Sequence, residues 1–225
     1  MSEFDWGPLW LTFKLAVTTA CFLLLIGVPI AGWLAHSKSR GKFLVETLVT
    51  LPLFLPPSVL GFYLLLLLSP QHGIGAFLST YFNITLVFSF PGLVIGSIIS
   101  SIPFMVNPLY AALSQFPSGL KEVSYGFGKS RLYTFFRIEL MGVRPALLTG
   151  GLMAFAHTIG EFGLVMMIGG NIPDKTRVAS IAIYDQVELL NYADAHVYAG
   201  VLCAVSFVVV LLIHLLRRSS LRGLL

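Results

Sequence analysis

The chain has 225 residues, of which 56% are hydrophobic and 11% are charged, and its mean hydropathy is +0.88. Soluble domains carry about 25% charged residues, so this composition excludes a soluble fold and predicts a protein embedded in a membrane. The formal net charge is +4, but the basic residues stand in short groups between apolar segments, a pattern that argues against nucleic-acid binding.

Five apolar segments are long enough to cross a bilayer as helices, which takes roughly 20 apolar residues each. No Asp, Glu, Lys or Arg occurs between Glu46 and Lys121. We therefore predict an all-α polytopic membrane protein with a single transmembrane domain over residues 1–225. Its spans are predicted at about 13–35, 47–68, 87–112, 145–169 and 197–216, with a long loop at 114–144.

Prolines recur in the second and third predicted spans: Pro52, Pro56 and Pro57, then Pro91, Pro103 and Pro108. A proline removes a backbone donor and kinks a helix. Kinked helices are tolerated in a membrane where protein or water satisfies the freed carbonyl groups. These two spans are therefore predicted to face other helices or a pathway.

Lys and Arg are distributed unevenly when the loops are assigned alternately to the two sides of the membrane. One side receives eleven of them and the other receives three, namely Lys14, Lys175 and Arg177. The eleven are Lys38, Arg40, Lys42, Lys121, Lys129, Arg131, Arg137, Arg144, Arg217, Arg218 and Arg222. Because cytoplasmic loops carry the excess of basic residues, we predict that the amino terminus lies outside and the carboxyl terminus in the cytoplasm.

The loop at 114–144 is much longer than a simple helix connection needs. Pro117 and Ser118 are typical of a helix start, and Leu120, Val123 and Phe127 then recur on one helical face. Gly128 is the residue type that ends such a helix in a left-handed conformation.

Ser130 can cap a second short helix in the same loop, on which we predict one apolar face made of Leu132, Phe135, Phe136 and Leu140. Two readings of this helix pair remain open from amphipathicity alone. It can present a surface to a soluble partner, or it can lie in the lipid headgroups.

The string Gly126-Phe127-Gly128-Lys129-Ser130 ends like a phosphate-binding P-loop. That motif requires a glycine where this chain has Val123, and it follows a buried strand, which the sequence does not predict here. We therefore predict that the chain does not bind ATP itself and that it is not an enzyme.

Polar groups inside the predicted spans are candidates for a transport pathway or gate, and we single out Pro56, Ser58, Ser101, Asn107, Thr158 and Glu161. A serine or threonine can equally bond to a carbonyl of its own helix. Glu161 is an acid well inside a span, and His157 stands one turn before it, so the two can form a pair. A carboxylate repels an anion, so we expect a structural or gating role for Glu161.

The long loop resembles the signature of binding-protein-dependent importer permeases, which runs Glu-Ala-Ala, three residues, Gly, nine residues, Ile-x-Leu-Pro. Here Glu122-Val123-Ser124, Gly128 and Ile138-Glu139-Leu140 stand at that spacing, with Val123-Ser124 in place of the alanines and Met141 in place of the proline. The resemblance implies a coupling helix that docks on an ATPase subunit. Its docking residues are then Glu122, Val123, Ser124, Gly128, Lys129, Ser130 and Arg131.

Three further strings are similar to molybdate/tungstate permeases, at residues 51–65, 160–163 and 171–176, and the resemblance extends over roughly residues 9–217. It implies a homodimer that imports a tetrahedral oxyanion. The implied partners are two cytoplasmic ATPases, which bind ATP and Mg, and an extracytoplasmic binding protein. No cofactor is expected on this chain itself.

Three other functions share some of these sequence features. Sulfate/thiosulfate importer permeases share looser versions of the same strings. An ATP-independent secondary carrier usually has more spans and more ionisable residues at mid-depth. A membrane enzyme needs a nucleophile with its base, or paired acids, and the sequence offers only His157 and Glu161.

Overall fold

The computed structural model describes the backbone of residues 4–222 and the side chains of residues 4–216, and its regular structure there is entirely helical. Arg217, Arg218 and Arg222, which contribute to the predicted charge bias, have side chains outside the described part. In chain order the helices are α1 (Gly7–His36), α2 (Lys42–Thr50), α3 (Pro57–Leu68), α4 (Gly73–Phe82), α5 (Phe90–Ser114), α6 (Ser118–Gly126), α7 (Arg131–Thr134), α8 (Leu140–Gly142), α9 (Arg144–Gly160), α10 (Gly163–Gly169), α11 (Ala179–Glu188) and α12 (Tyr192–Arg222).

Four stretches of the described chain are long and apolar enough to cross a membrane: Gly7–His36, Pro57–Phe82, Phe90–Ser114 and Tyr192–Leu216. A fifth crossing is possible for the pair Arg131–Gly142 and Arg144–Gly160, which is bent by 76°. The structure therefore confirms the predicted all-α membrane fold, with four or five spans.

The second predicted span, 47–68, is wrong as one continuous helix. Helix α2 ends at Thr50, a single 3-10 turn follows at Leu51–Leu53, and Pro56 is extended with φ −55° and ψ 134°. The break occurs because a residue before a proline is displaced from helical geometry, and Pro57 then begins α3 at a position that needs no amide donor.

The fourth predicted span, 145–169, is also interrupted. Helix α9 ends at Gly160, Glu161 is extended with φ −72° and ψ 126°, and α10 begins at Gly163. The Glu161 carbonyl accepts a hydrogen bond from Ser180 Oγ at 2.7 Å. In a continuous helix, this carbonyl oxygen would accept a hydrogen bond from a backbone amide. Here the Ser180 side chain of α11 supplies the donor instead.

The segment after α10 packs against the helix bundle. It contains α11, in which Ala179 and Ile181 are fully buried. The Ala179 amide donates to Thr12 Oγ1 of α1 at 2.7 Å. Tertiary contacts with α1 and α12 therefore make this segment part of the packed structure.

The main core forms where α1, α5 and α9 come close together around Met105. The Met105 side chain is fully buried. A Cβ at Gly27 of α1 would lie 2.8 Å from Met105 Cγ, and one at Gly150 of α9 would lie 3.0 Å from the Met105 carbonyl oxygen. Glycines on both neighbouring helices therefore allow the three backbones to approach.

We expect Gly150→Ala to lower the melting temperature of the purified protein. The new methyl group would press on the α5 backbone, and overpacking of this kind costs about 1–3 kcal/mol. The matched control is Gly151→Ala in the same helix, where the added Cβ meets its nearest atom, of Leu24, at 4.0 Å. That control should stabilise by about 0.5–1 kcal/mol. Equal effects of the two substitutions on thermal unfolding would contradict the packing assigned to Met105.

Candidate functional site

The long loop, residues 115–143, lies at the same end of the helix bundle as the carboxyl end of α1. Helix α6 begins at Ser118, and the loop reverses direction at Gly128, which has φ +71°. Ser130 Oγ then accepts the Tyr133 amide at 3.2 Å and caps α7. The predicted start of the first helix, its left-handed stop and the cap of the second are confirmed.

The apolar face of α6 is exposed. Leu120, Val123 and Phe127 are 52%, 58% and 78% accessible. The side chains of Glu122, Lys129, Ser130 and Arg131 and the backbone of Gly128 are exposed around this face. In a water-facing loop, such an apolar patch with a polar rim marks a surface for a partner.

Ser124 differs from the other residues of the predicted docking set because its side chain is enclosed. It is 6% exposed, and its Oγ lies 2.9 Å from Thr134 Oγ1. Thr134 Oγ1 also donates to the Ser130 carbonyl at 3.0 Å. Ser124 therefore connects α6 to α7 from the inside, which requires a small side chain at this position of the signature.

The apolar face predicted for the second short helix packs only in part, since Phe135 and Leu140 are partly buried against the core. Leu132 and Phe136 are 72% and 51% exposed, whereas Thr134 and Glu139 are buried. The reason is that residues Phe135–Glu139 form a π-helical turn. Its wider turn brings residues five apart onto one face, so the face that packs is not the one expected from α-helical periodicity.

Glu139 was not among the predicted site residues, although it is 1% exposed. Its Oε2 lies 2.8 Å from His36 Nε2, at the end of α1, and 3.6 Å from Lys121 Nζ of α6. The available signal was its place at the variable position of the signature, an acid between Ile138 and Leu140 in an otherwise apolar string.

A second polar cluster lies between α5 and the end of α9. Ser100 Oγ donates a short hydrogen bond to Glu161 Oε1, and both residues are buried. One residue further along α5, Ser101 Oγ lies 3.0 Å from His157 Nδ1 and 3.1 Å from Thr158 Oγ1. Three of the residues predicted for a pathway or gate, Ser101, Thr158 and Glu161, thus belong to one cluster.

The expected pair between His157 and Glu161 does not form, since no ion pair or hydrogen bond joins their side chains in the described part of the chain. Helix α9 ends at Gly160, so the regular spacing that would align them is lost. The His157 ring instead stacks on Phe104 with centroids 4.3 Å apart.

The remaining pathway candidates lie elsewhere. Pro56 and Ser58 are exposed at the start of α3, where the Ser58 amide nitrogen would lie 3.3 Å from a Cβ at Gly163. They therefore adjoin the break between α9 and α10. Asn107 is partly buried on α5, six residues beyond Ser101 towards the long loop, which is about 9 Å along a helix.

The fold and the long loop together define a polytopic membrane permease of the importer type. A family model described as "Binding-protein-dependent transport system inner membrane component" matches residues 24–219. The chain belongs to this family.

Among curated relatives, the chain is 43% identical over 219 residues to the "Molybdenum transport system permease protein ModB" of Azotobacter vinelandii, covering 97% of this chain and 96% of that protein. It is 32% identical over 188 residues to the protein of the same name from Escherichia coli (strain K12), covering 84% and 82%. It is 31% identical to the "Sulfate transport system permease protein CysT" of Synechocystis sp., covering 92% and 72%.

Solved structures of similar fold are chains of ABC transporters. A chain of a bacterial alginate ABC transporter, in complex with an alginate pentasaccharide-bound periplasmic protein, aligns with a TM-score of 0.78 and 20% identity, covering 98% of this chain and 81% of that one. A chain of the MetNI methionine ABC transporter in an inward-facing conformation aligns with a TM-score of 0.65 and 18% identity, covering 99% and 97%. At these identities the likeness shows the fold alone.

We expect Thr158→Val to destabilise the protein by about 1–2 kcal/mol, because it leaves Ser101 with one partner fewer in a buried network. Thr158 Oγ1 also donates to the Ala154 carbonyl at 2.9 Å. The control is Thr19→Val, since Thr19 Oγ1 is buried with no hydrogen-bond partner in the described structure. That change should be neutral or stabilising in thermal unfolding. A larger loss at Thr19 than at Thr158 would contradict the cluster.

Proposed function

We propose that this chain is the permease subunit of an ATP-driven importer, in which two copies form the inner-membrane pathway for molybdate or tungstate. Its amino terminus then lies outside and its carboxyl terminus lies in the cytoplasm. The observation that carries the proposal is the exposed apolar face of α6 on a capped loop, in a family member 43% identical to a molybdenum permease.

The exposed face of α6 has the character of a helix that inserts into a groove of a partner. Leu120, Val123 and Phe127 supply the apolar contact, and Glu122 and Arg131 supply charged groups at its edge. Grooves that accept amphipathic helices bind this arrangement of side chains. We propose that α6 inserts into a groove on a cytoplasmic ATPase, the subunit that binds ATP and Mg.

The pathway is proposed to run beside α5 and the break between α9 and α10. The stretch between Glu46 and Lys121, which includes α3 and α5, carries no ionised side chain, so a dianion would meet neutral hydroxyl groups there. Groups of this kind bind weakly enough to release the ion, as passage requires. Selectivity is then left to the binding protein that delivers the anion outside.

We propose that Glu161 is part of the gate and does not bind the transported anion. Its side chain is turned into α5 towards Ser100, and it is 6% exposed. A carboxylate repels an oxyanion, so contact with the substrate would oppose transport. Its backbone position at the end of α9 instead links the cluster to α11 through Ser180.

The docking role of the long loop predicts that Gly128→Val abolishes binding of the ATPase. A left-handed conformation costs a non-glycine residue roughly 1–2 kcal/mol and more when it is β-branched. The turn between α6 and α7 would change, so the ATPase recovered by co-purification should fall at least about tenfold. The control is Gly126→Ala, where a Cβ meets no atom within 4 Å and φ is not positive, and it should bind normally.

If Gly128→Val retains full ATPase binding and transport, the loop does not dock as proposed. If α6 instead lies in lipid headgroups, charged substitutions of Phe127 should make α6 more accessible to a water-soluble label without affecting ATPase binding. Helix content measured by circular dichroism should stay unchanged in every one of these variants, because none of the residues packs among the spans.

Transport itself is tested in vesicles that contain the permease, its ATPase and its binding protein. Uptake of labelled molybdate should require ATP, and unlabelled tungstate should compete about as well as molybdate, because both are tetrahedral dianions. Sulfate in equal excess should compete weakly. Uptake that continues without ATP or ATPase would identify a secondary carrier, and preferential competition by sulfate would identify a sulfate importer.

A further inference from the structure

Glu139 carries a buried carboxylate that joins three separate segments of the chain. The residue belongs to the π-helical turn Phe135–Glu139 and is 1% exposed. His36 Nε2, at the carboxyl end of α1, lies 2.8 Å from Glu139 Oε2. Lys121 Nζ, on α6, lies 3.6 Å from the same oxygen.

The Glu139 carboxyl group has a nitrogen donor on each of two other segments, His36 Nε2 on α1 and Lys121 Nζ on α6. The two His36 ring nitrogens face oxygen acceptors, Nδ1 towards the Gly32 carbonyl at 2.7 Å and Nε2 towards Glu139. A carbonyl and a carboxylate only accept, so a ring that donates to both of them needs a proton on each nitrogen. A buried charge is tolerated when it is paired in this way, and removal of one partner leaves it uncompensated.

The three residues lie on segments that contact different parts of the protein. Lys121 lies on α6, whose exposed face is the proposed docking surface. Glu139 leads within five residues into α9, and α9 ends at the polar cluster around Glu161. His36 ends α1, which packs on α5 and α9 around Met105.

A second contact between α1 and the π-helical turn is made by the Phe135 ring, which packs on Gly32, where a Cβ would lie 2.7 Å from it. Both of these residues also line a cavity of about 740 Å³, together with Trp33, His36 and Glu139. The contact between Glu139 and His36 therefore bridges two segments that close packing joins only in part.

We propose that Glu139 is a positioning residue of energy coupling, which ties α1 to α6 and to the turn before α9 so that a displacement of α6 moves all three together. The inference rests on the proposed function, since it assumes that a partner ATPase displaces α6. Without the charge at position 139, the ATPase would still dock on α6, but its cycle would move α1 and α9 less.

The test uses the assembled transporter in vesicles and measures two rates, anion uptake and ATP hydrolysis. Glu139→Gln keeps the size of the side chain and removes its charge. Lys121→Met removes the cationic partner from a side chain that is 21% exposed, so folding should tolerate it. We expect each variant to assemble with the ATPase and to transport roughly tenfold fewer anions per ATP hydrolysed.

The double variant Glu139→Gln with Lys121→Met should lower this ratio no further than the single variants, since both act through one interaction. Arg137→Gln is the matched control. It removes a charge from the same π-helical turn, but its side chain is exposed, so the ratio should stay at the native value. If Glu139 has a purely structural role, its variants should assemble less often, but the complexes that do assemble should transport the native number of anions per ATP hydrolysed.

The outcomes separate this inference from the proposed function. A native complex without ATP-dependent uptake would overturn both. The native complex can show ATP-dependent uptake while the Lys121→Met variant assembles and transports as many anions per ATP hydrolysed as the native complex. That result would overturn the positioning role alone, even if Glu139→Gln fails to fold. Additive losses in the double variant would also overturn it, because Glu139 and Lys121 would then act independently.

Discussion

The close approach of α1, α5 and α9 around Met105 holds both polar regions of the protein in place. Glycines at positions 27 and 150 leave room for the Met105 side chain between the helices. Because this contact involves backbone as well as side-chain atoms, small movements of one helix are transmitted to the others rather than absorbed. The polar cluster lies on α5 and α9 to one side of Met105, and the long loop lies to the other.

The two polar regions differ in chemistry. The cluster around Ser101, Thr158 and Glu161 is built mainly of hydroxyl groups, which bond to one another and to one buried carboxyl group. The group formed by His36, Lys121 and Glu139 consists of ionisable side chains and joins three separate segments. A buried group of this second kind is strongly destabilised when one partner is removed, so it favours a fixed relation between the segments that supply it.

The same features explain which sequence predictions held. The capped loop was predictable because Gly128 and Ser130 act through local backbone geometry, which needs no knowledge of neighbours. The second and fourth spans were predicted as continuous helices because hydropathy reports length and polarity only. The breaks near Pro56 and Glu161 depend on backbone geometry and on an acceptor that Ser180 satisfies.

The sequence by itself determined the membrane environment, the approximate number of spans and the short helices of the long loop. Those properties follow from composition and from interactions within a few residues. Tertiary structure alone decided that Ser124 and Glu139 face inward, that His157 stacks on Phe104 instead of pairing with Glu161, and that the first turn of α11 is buried. Each of these depends on partners far along the chain, which periodicity cannot identify.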